Sequence, residues 1–196
     1  MNYPPKYHLD DDINHMIEVV KTYPLATVIS VKNNQPLVTH LPLIYEDGKL
    51  IGHIDIYNPH AQLLKNDNDV TLIFAGPECY ISPSVYSTTQ LPTWNYIKVH
   101  LKGSVKAIES KAALKQSLIT MTEFLEAPDH KYVLEPDNPR LDRNLDYIKM
   151  FEITITNWEG KFKLSQDKKP KDTKLAREKL VSANQESIKV FLDKVF

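Results

Sequence analysis

The chain has 196 residues, of which 42% are hydrophobic and 25% charged, and this composition is typical of a soluble globular protein. A net charge of −1, from 24 basic and 25 acidic side chains, makes direct DNA binding doubtful, because nucleic-acid surfaces normally carry a basic excess. The single cysteine excludes an internal disulfide framework, and no stretch approaches the roughly 18 apolar residues of a membrane helix, so we expect a cytoplasmic protein without membrane contact.

The N-terminal part is predicted to form one helix and three strands. Helical spacing of apolar residues begins after Asp12, and Pro24 ends the helix. The strands that follow are predicted at residues 25–31, 37–45 and 49–57. Pro42 lies inside the second of them, and because proline donates no N–H, we expect an edge strand or a bulge there.

The next part of the chain is predicted to be mainly strand. A short helix from Pro59 to about residue 65 precedes strands at residues 69–75, 79–83, 93–108 and 151–156. Turns are expected at Gly76-Pro77 and at residues 157–160. The strand at 93–108 alternates apolar with basic residues, which indicates an antiparallel strand with one face exposed.

Two longer helices are also predicted. Ser110 is the expected N-cap of the first, whose apolar positions are Leu114, Leu118, Met121 and Leu125. The second is expected over residues 173–196, with apolar positions that include Ile188, Phe191 and Val195. Six or more mostly antiparallel strands with a few helices predict a small barrel, whereas a Rossmann fold would need parallel β–α–β alternation.

Motifs for metal binding or hydrolysis are weak in this sequence. No pair among the seven histidines has the spacing of a helical zinc site, and no Gly-x-Ser-x-Gly motif occurs. We therefore expect no metal site and assign no catalytic residue. His53 is the best candidate for a proton donor because histidine titrates near neutrality, but a structural hydrogen bond on the barrel wall is the favoured interpretation.

Polar residues cluster at three strand ends, at residues 53–60, 92–96 and 158–166. The first cluster contains Asn58 as a predicted N-cap and Pro59 as the first residue of a helical turn, whose free N–H groups suit a phosphate. Considered singly, each cluster has an ordinary explanation, such as Trp94 and Trp158 packing in the core.

The chain resembles the PaiB-like proteins, which are FMN-binding negative transcriptional regulators of the FMN-binding split-barrel fold. The segments that carry the resemblance are Pro24-Leu25-Ala26-Thr27, His40-Leu41-Pro42-Leu43, Gly52-His53-Ile54 with Asn58-Pro59, Tyr80-Ile81-Ser82-Pro83-Ser84 with Tyr86, Pro92-Thr93-Trp94-Asn95-Tyr96 and Glu159-Gly160-Lys161-Phe162-Lys163-Leu164-Ser165-Gln166. They occur in the family's order and cover roughly residues 1–168.

The resemblance implies a mainly β protein, a six-stranded antiparallel split barrel over residues 1–168 with a C-terminal helical extension over residues 169–196 that packs on the barrel or the dimer. It also implies a homodimer with two FMN sites at the dimer interface. Residues in the matching motifs are then expected to contact the cofactor: Thr27, His53, Ile54, Asn58, Pro59, His60, Thr93, Trp94, Asn95, Lys163, Ser165 and Gln166.

Within that set the resemblance implies different roles. Asn58, Pro59 and His60 would hold the phosphate, and Trp94 and Asn95 would lie near the polar edge of the flavin. The partner chain would supply Lys163 and Ser165.

One position departs from the family pattern and weakens the expectation of FMN binding. Where family members commonly carry a basic residue two positions before the Asn-Pro pair, this chain has Ile56, preceded by Asp55. If Asp55 faces the phosphate, repulsion costs on the order of 1 kcal/mol or more. Strand alternation also allows Asp55 to point away from it.

Three functions remain open from the sequence. The first is a PaiB-like FMN-binding regulator, although no helix-turn-helix is evident and direct DNA contact stays doubtful. The second is a flavin-dependent oxidoreductase or flavin-reductase-like enzyme, in which the cofactor supplies the chemistry. The third is a split-barrel scaffold that has lost its cofactor. This function is considered because Ile56 stands where family members commonly carry a basic residue.

Overall fold

The computed structural model describes residues 4–184 and 192–193. In these ranges the strands are β1 (Leu9–Asp10), β2 (Leu25–Lys32), β3 (Gln35–Glu46), β4 (Lys49–Asp55), β5 (Asp69–Ile81), β6 (Thr93–Ile108) and β7 (Ile148–Lys163). The α-helices are α1 (Ile13–Thr22), α2 (Lys111–Glu126), α3 (Pro139–Asn144) and α4 (Pro170–Asn184). Short 3₁₀ helices form at Lys6–His8, Pro59–Gln62, Pro83–Val85 and Leu145–Tyr147.

The strands form one antiparallel sheet in the order β1-β7-β4-β3-β2-β5-β6, and β7 also pairs with β6. This second pairing closes β2 to β7 into a ring of six strands, with β1 added beside β7. Closure removes the exposed edges that an open sheet would leave. The predicted mainly β, six-stranded antiparallel barrel is therefore confirmed.

Contacts divide the chain into two compact units, each of which is described by itself. The first unit comprises residues 1–23, 73–100 and 158–196, and the second comprises residues 24–72 and 101–157. The described helices do not combine the length and apolar character that crossing a membrane requires.

Glycines in the second unit allow neighbouring strands to pack closely. A Cβ atom on Gly52 would lie 2.3 Å from Cδ2 of Leu43 and 2.8 Å from the ring of Phe151, and both neighbours are fully buried. A Cβ on Gly103 would lie 2.8 Å from the backbone oxygen of Thr154. Both positions therefore require the absence of a side chain, as is common where two backbones approach in a sheet.

Helix α2 packs against other elements of the second unit. Its N-cap is Ser110, as predicted, and the Ser110 hydroxyl accepts the N–H of Ala113 at 3.2 Å. Of its predicted apolar positions, Leu114 and Met121 are buried, whereas Leu125 is half exposed. Leu114 packs in a small core cluster with Leu141, Leu145 and Met150.

The edge position expected for the Pro42 strand is wrong. β3 lies inside the sheet, pairing with β2 over residues 35–42 and with β4 over residues 43–46. Pro42 is thus the last residue paired with one neighbour before the next pairing begins. The missing N–H of proline falls where the partner strand changes, which explains why an interior strand tolerates it.

Two predicted turns are also wrong, because the glycines that suggested them lie inside long strands of the first unit. Gly76 lies within β5, and a Cβ there would be 3.2 Å from Cβ of Ile97. Gly160 lies within β7 opposite Asp10, and its Cβ would be 2.6 Å from the Asp10 carbonyl oxygen. Both glycines permit close contact between elements and do not turn the chain.

Helix α4 of the first unit begins three residues before the predicted start at Thr173 and is described to Asn184. The predicted continuation through Ile188, Phe191 and Val195 lies outside the described residues. In the first turn of α4, Asp172 is fully buried and accepts three hydrogen bonds, from the Ser87 N–H, the Ser87 hydroxyl and the Thr88 hydroxyl. The hydrogen bond from Thr88, the largest effect, keeps the pKa of the Asp172 carboxyl below its usual range.

Candidate functional site

The chain turns sharply after β4, at Asn58 and Pro59. The Asn58 side chain accepts the His60 N–H at 2.9 Å, and Pro59 is the first residue of the helical turn, so the predicted cap is confirmed. The turn is a 3₁₀ helix of four residues, shorter than the predicted helix. So short a helix carries little dipole, so a phosphate here needs side-chain cations as well.

His60 is the centre of a buried hydrogen-bond cluster in the second unit. Its Nδ1 lies 2.9 Å from the Thr39 hydroxyl and its Nε2 lies 2.8 Å from the Ser30 hydroxyl, and the residue is 1% exposed. Burial lowers the pKa of His60, which favours a neutral ring at physiological pH. With both ring nitrogens engaged, His60 positions two hydroxyl groups and offers no cation of its own.

Beside this cluster the second unit contains a cavity of about 780 Å³, here named the cationic cleft. Ser30 lines it, together with three lysines, Lys32 of β2, Lys65 after the 3₁₀ helix and Lys102 of β6, and with one carboxylate, that of Asp69. Its volume lies within the usual range for small-molecule sites. Lysine ammonium groups and serine hydroxyls are common phosphate ligands, so the donor set of the cleft fits a phosphate group.

The two residues that depart from the family pattern do not line the cationic cleft. The Asp55 carboxylate accepts the N–H of Tyr57 at 2.7 Å, and Asp55 does not line the cleft. Ile56 donates its N–H to the Tyr147 carbonyl at 3.0 Å and lines a neighbouring cavity of about 290 Å³, which shares Gln62 and Lys65 with the cleft. Asp55 is therefore not among the groups that would contact a phosphate in the cationic cleft.

The other predicted site residues of the second unit have separate partners. His53 Nε2 lies 2.8 Å from the Ser117 hydroxyl, and burial lowers the pKa of His53 to about 4, which leaves the ring neutral at pH 7. Ile54 is 3% exposed and belongs to the core. The Thr27 hydroxyl lies 3.1 Å from Nδ1 of the exposed His40.

In the first unit three predicted site residues come together near Ser165. The Ser165 hydroxyl lies 2.8 Å from the Tyr86 hydroxyl, and it receives a hydrogen bond from the Asn95 amide at 3.1 Å. Asn95 and Ser165 are buried, and Ser165 has a φ of +64°, a left-handed conformation that costs energy in a non-glycine residue. Gln166 follows directly and accepts the Leu164 N–H at 2.6 Å.

The remaining predicted residues of the first unit lie closer to the surface. Trp94 is 49% exposed, and its ring centroid is 6.2 Å from that of Tyr80. Thr93 and Lys163 are half-buried. Within the described residues, no group of three or more His, Cys, Asp or Glu side chains is placed to hold a metal ion.

The lysines of the cationic cleft and the hydroxyls bound by His60 were missed by sequence reasoning. Lys102 had one usable signal, its place on the polar face of β6, but that face is also what a solvated strand would show. Ser30 and Thr39 meet His60 only through the pairing of β2 with β3 and the return of the chain after β4. No local pattern encodes these contacts.

Comparison with known proteins gives a consistent result. The family model described as "Putative FMN-binding domain" matches residues 2–157. Protease synthase and sporulation protein PAI 2 of Bacillus subtilis is 29% identical over 175 residues, covering 87% of this chain and 84% of that protein.

Among solved structures, the FAD and heme binding protein from Mycobacterium smegmatis has a TM-score of 0.67 at 16% identity, covering 91% of this chain and 80% of that one. The flavocytochrome Anf3 from Azotobacter vinelandii has a TM-score of 0.63 at 18% identity, with 80% and 69% covered. These two similarities establish the fold.

Proposed function

Because the chain belongs to the FMN-binding domain family, with flavin as its cofactor, we propose that it holds FMN at a homodimer interface and acts in negative transcriptional regulation. The observation that carries the proposal is the cationic cleft. When bound, the flavin would supply any redox chemistry, while the protein would bind, orient and shield it.

We place the FMN phosphate in the cationic cleft. Lys32, Lys65 and Lys102 would neutralise the phosphate charge, and Ser30, held by His60, would donate its hydroxyl. Asn58 and Pro59 shape the adjoining turn. In this arrangement His60 orients the Ser30 hydroxyl and does not itself contact the phosphate.

The flavin ring is assigned to the residues that the family resemblance implies. The resemblance implies that Trp94 and Asn95 lie near the polar edge of the flavin and that the second copy of the chain contributes its Lys163 and Ser165. Contacts by Thr93 and Gln166 stay sequence predictions. Buried polar groups such as the Asn95 amide suit hydrogen bonding to a flavin edge. Cofactor contacts by Thr27, His53 and Ile54 stay sequence predictions.

The outer face of β2 and β3 supports a homodimer. Apolar residues pair across the two strands on this face: Leu25 with Pro42, Ile29 with Val38 and Val31 with Pro36. Leu25, Val31 and Val38 are 61%, 65% and 54% exposed. The polar pair Thr27 and His40 lies between the first two of these pairs. Exposed apolar residues grouped on one face of a sheet are typical of a protein–protein contact, and the same face of a second copy is the proposed partner.

Substitution of Val38 by aspartate is expected to dissociate the dimer, raising its dissociation constant at least about tenfold, because a carboxylate would be buried without a partner. Sedimentation velocity over a concentration series measures this. The matched control is Val133→Asp, at a valine 63% exposed outside these strands. A monomeric wild-type protein, or an unaffected Val38→Asp dimer, would contradict the proposed interface.

The phosphate assignment is tested by comparing FMN with riboflavin, which lacks the phosphate. Lys65→Gln and Lys102→Gln are each expected to weaken FMN binding about fivefold while leaving riboflavin binding unchanged, since only FMN offers an anion to the lysines. Titration followed by flavin fluorescence gives both constants. The control is Lys106→Gln. Lys106 is exposed and lies in β6, as Lys102 does, but it does not line the cleft.

Two outcomes would contradict the assignment of the phosphate to the cationic cleft. One is equal loss of FMN and riboflavin in the lysine variants. The other is a wild-type protein that binds the two flavins with the same affinity, because a phosphate among three lysines must contribute to binding.

For the regulatory role, a gel-shift series across salt concentrations separates direct DNA contact from action through another protein. The net charge of −1 favours action through a protein partner or a bound effector. Direct contact would give an affinity that falls steeply as salt rises, because phosphate contacts release counterions.

A further inference from the structure

The first unit contains a second cavity, whose lining includes Asn95 and Gln166, two residues that the family resemblance also assigns to the flavin. It has a volume of about 620 Å³ and is lined by Asn95 of β6, by the segment that follows β7, by helix α4 and by residues 192–193. It shares no lining residue with the cationic cleft. We name it the α4 pocket.

The α4 pocket has an apolar wall and a cationic rim. The wall is formed by Leu164, Leu180 and Leu192, of which the last two are 0% and 1% exposed. Such a surface binds a hydrocarbon or aromatic body by excluding water from both partners.

Among the described residues, the rim carries Lys168, Lys174 and Arg177 and one carboxylate, that of Asp193, which pairs with Arg177. The described lining therefore has an excess of positive charge, and Lys168 also pairs at 2.8 Å with Asp167, which does not line the pocket. Lys174 makes only a long 3.9 Å contact with Glu178, a residue that does not line the pocket. Its ammonium group can turn toward an anion at little cost because exposed ion pairs are weak.

The α4 pocket also contains a buried amide that can donate a hydrogen bond. Asn95 lines it, is 1% exposed, and donates one amide N–H to Ser165. A primary amide has a second N–H to offer, and a carboxylate oxygen is a strong acceptor for it.

We propose that the α4 pocket binds a small amphipathic organic acid, with its carboxylate toward Asn95 and the cationic rim and its apolar body against the leucines. Helix α4 supplies two of the three rim cations, Lys174 and Arg177, and one of the three leucines, Leu180. The ligand would therefore bind to the C-terminal extension as well as to the segment that follows β7. The site is separate from the proposed phosphate site and gives this flavoprotein a place for a substrate or an effector.

Octanoate and n-octylammonium, which share a chain length and differ in charge, test the proposal by isothermal titration calorimetry. Octanoate is expected to bind saturably at one per chain, and octylammonium at least about tenfold more weakly. The double variant Lys174→Gln/Arg177→Gln is expected to weaken octanoate binding about tenfold. The matched control, Lys171→Gln/Lys179→Gln, removes two charges of α4 outside the pocket and should change binding less than about twofold.

Thermal unfolding of both double variants shows whether the fold is retained. No octanoate binding by the wild-type protein, equal binding of the two probes, or equal losses in both double variants would overturn the proposal. Displacement of octanoate by FMN would show that the pocket is part of the flavin site, and it would overturn the proposal that the organic acid has a site of its own. If FMN fails to bind but octanoate binds as expected, the flavin proposal fails and this one stands.

Discussion

Replacing His60 by alanine is expected to lower the free energy of unfolding by about 3 kcal/mol and to weaken FMN binding. The ring is 1% exposed and satisfies the hydroxyls of Ser30 and Thr39, so its removal leaves both without their partner and opens a cavity beside them. Loss of the ring also frees Ser30, which lines the cationic cleft.

Urea unfolding of the apoprotein measures the stability change, and FMN titration measures the effect on binding. His130→Ala is the control, because His130 is exposed and lies outside both the cationic cleft and the proposed interface of β2 and β3. If His60→Ala lost FMN affinity while keeping wild-type stability, His60 would be a direct phosphate ligand, as the family resemblance implies, and the positioning role would be wrong.

Lowering the pH from 7 to 4 is expected to cost the folded state about 3 kcal/mol through His53 alone. Burial lowers the pKa of His53 from 6.5 to about 4. The unfolded chain thus binds a proton at His53 below about pH 6.5, whereas the folded chain does not until about pH 4. The stability is fully present above pH 6.5 and is lost progressively as the pH falls toward 4.

The contribution of His53 is isolated by urea unfolding at pH 7 and pH 4.5 in the wild type and in His53→Gln, whose amide can still hydrogen-bond to Ser117. The variant should lose markedly less stability over this interval than the wild type. His130→Gln, at an exposed histidine, should behave as the wild type does. Equal losses in the wild type and His53→Gln would show that the His53 ring can be protonated in the folded state at little cost.

The parts of the fold that follow from local patterns were predictable. The alternation from Thr93 to Ile108 gave the bounds of β6, and the Ser110 cap placed the start of α2. The turns expected at Gly76 and Gly160 failed because glycine serves two purposes, turning a chain and admitting a close neighbour. Choosing between them requires knowing that Ile97 and Asp10 lie opposite, which is tertiary information.

In the candidate site, too, local contacts could be predicted from the sequence and long-range contacts could not. The cap of Asn58 on His60 is local and was predicted from adjacent residues. The partners of the His60 ring were not, since Ser30 and Thr39 lie thirty and twenty-one positions earlier in the chain. The lysines of the cationic cleft come from three separated segments, so no single stretch of the sequence could predict its charge.

The most direct test of the flavin assignment is an absorbance spectrum of the purified protein after incubation with excess FMN and desalting. We predict a retained flavin band corresponding to about one FMN per chain, since each chain carries one cationic cleft. A folded protein that emerges with no flavin would contradict this. It would identify the chain as a split-barrel scaffold that has lost its cofactor.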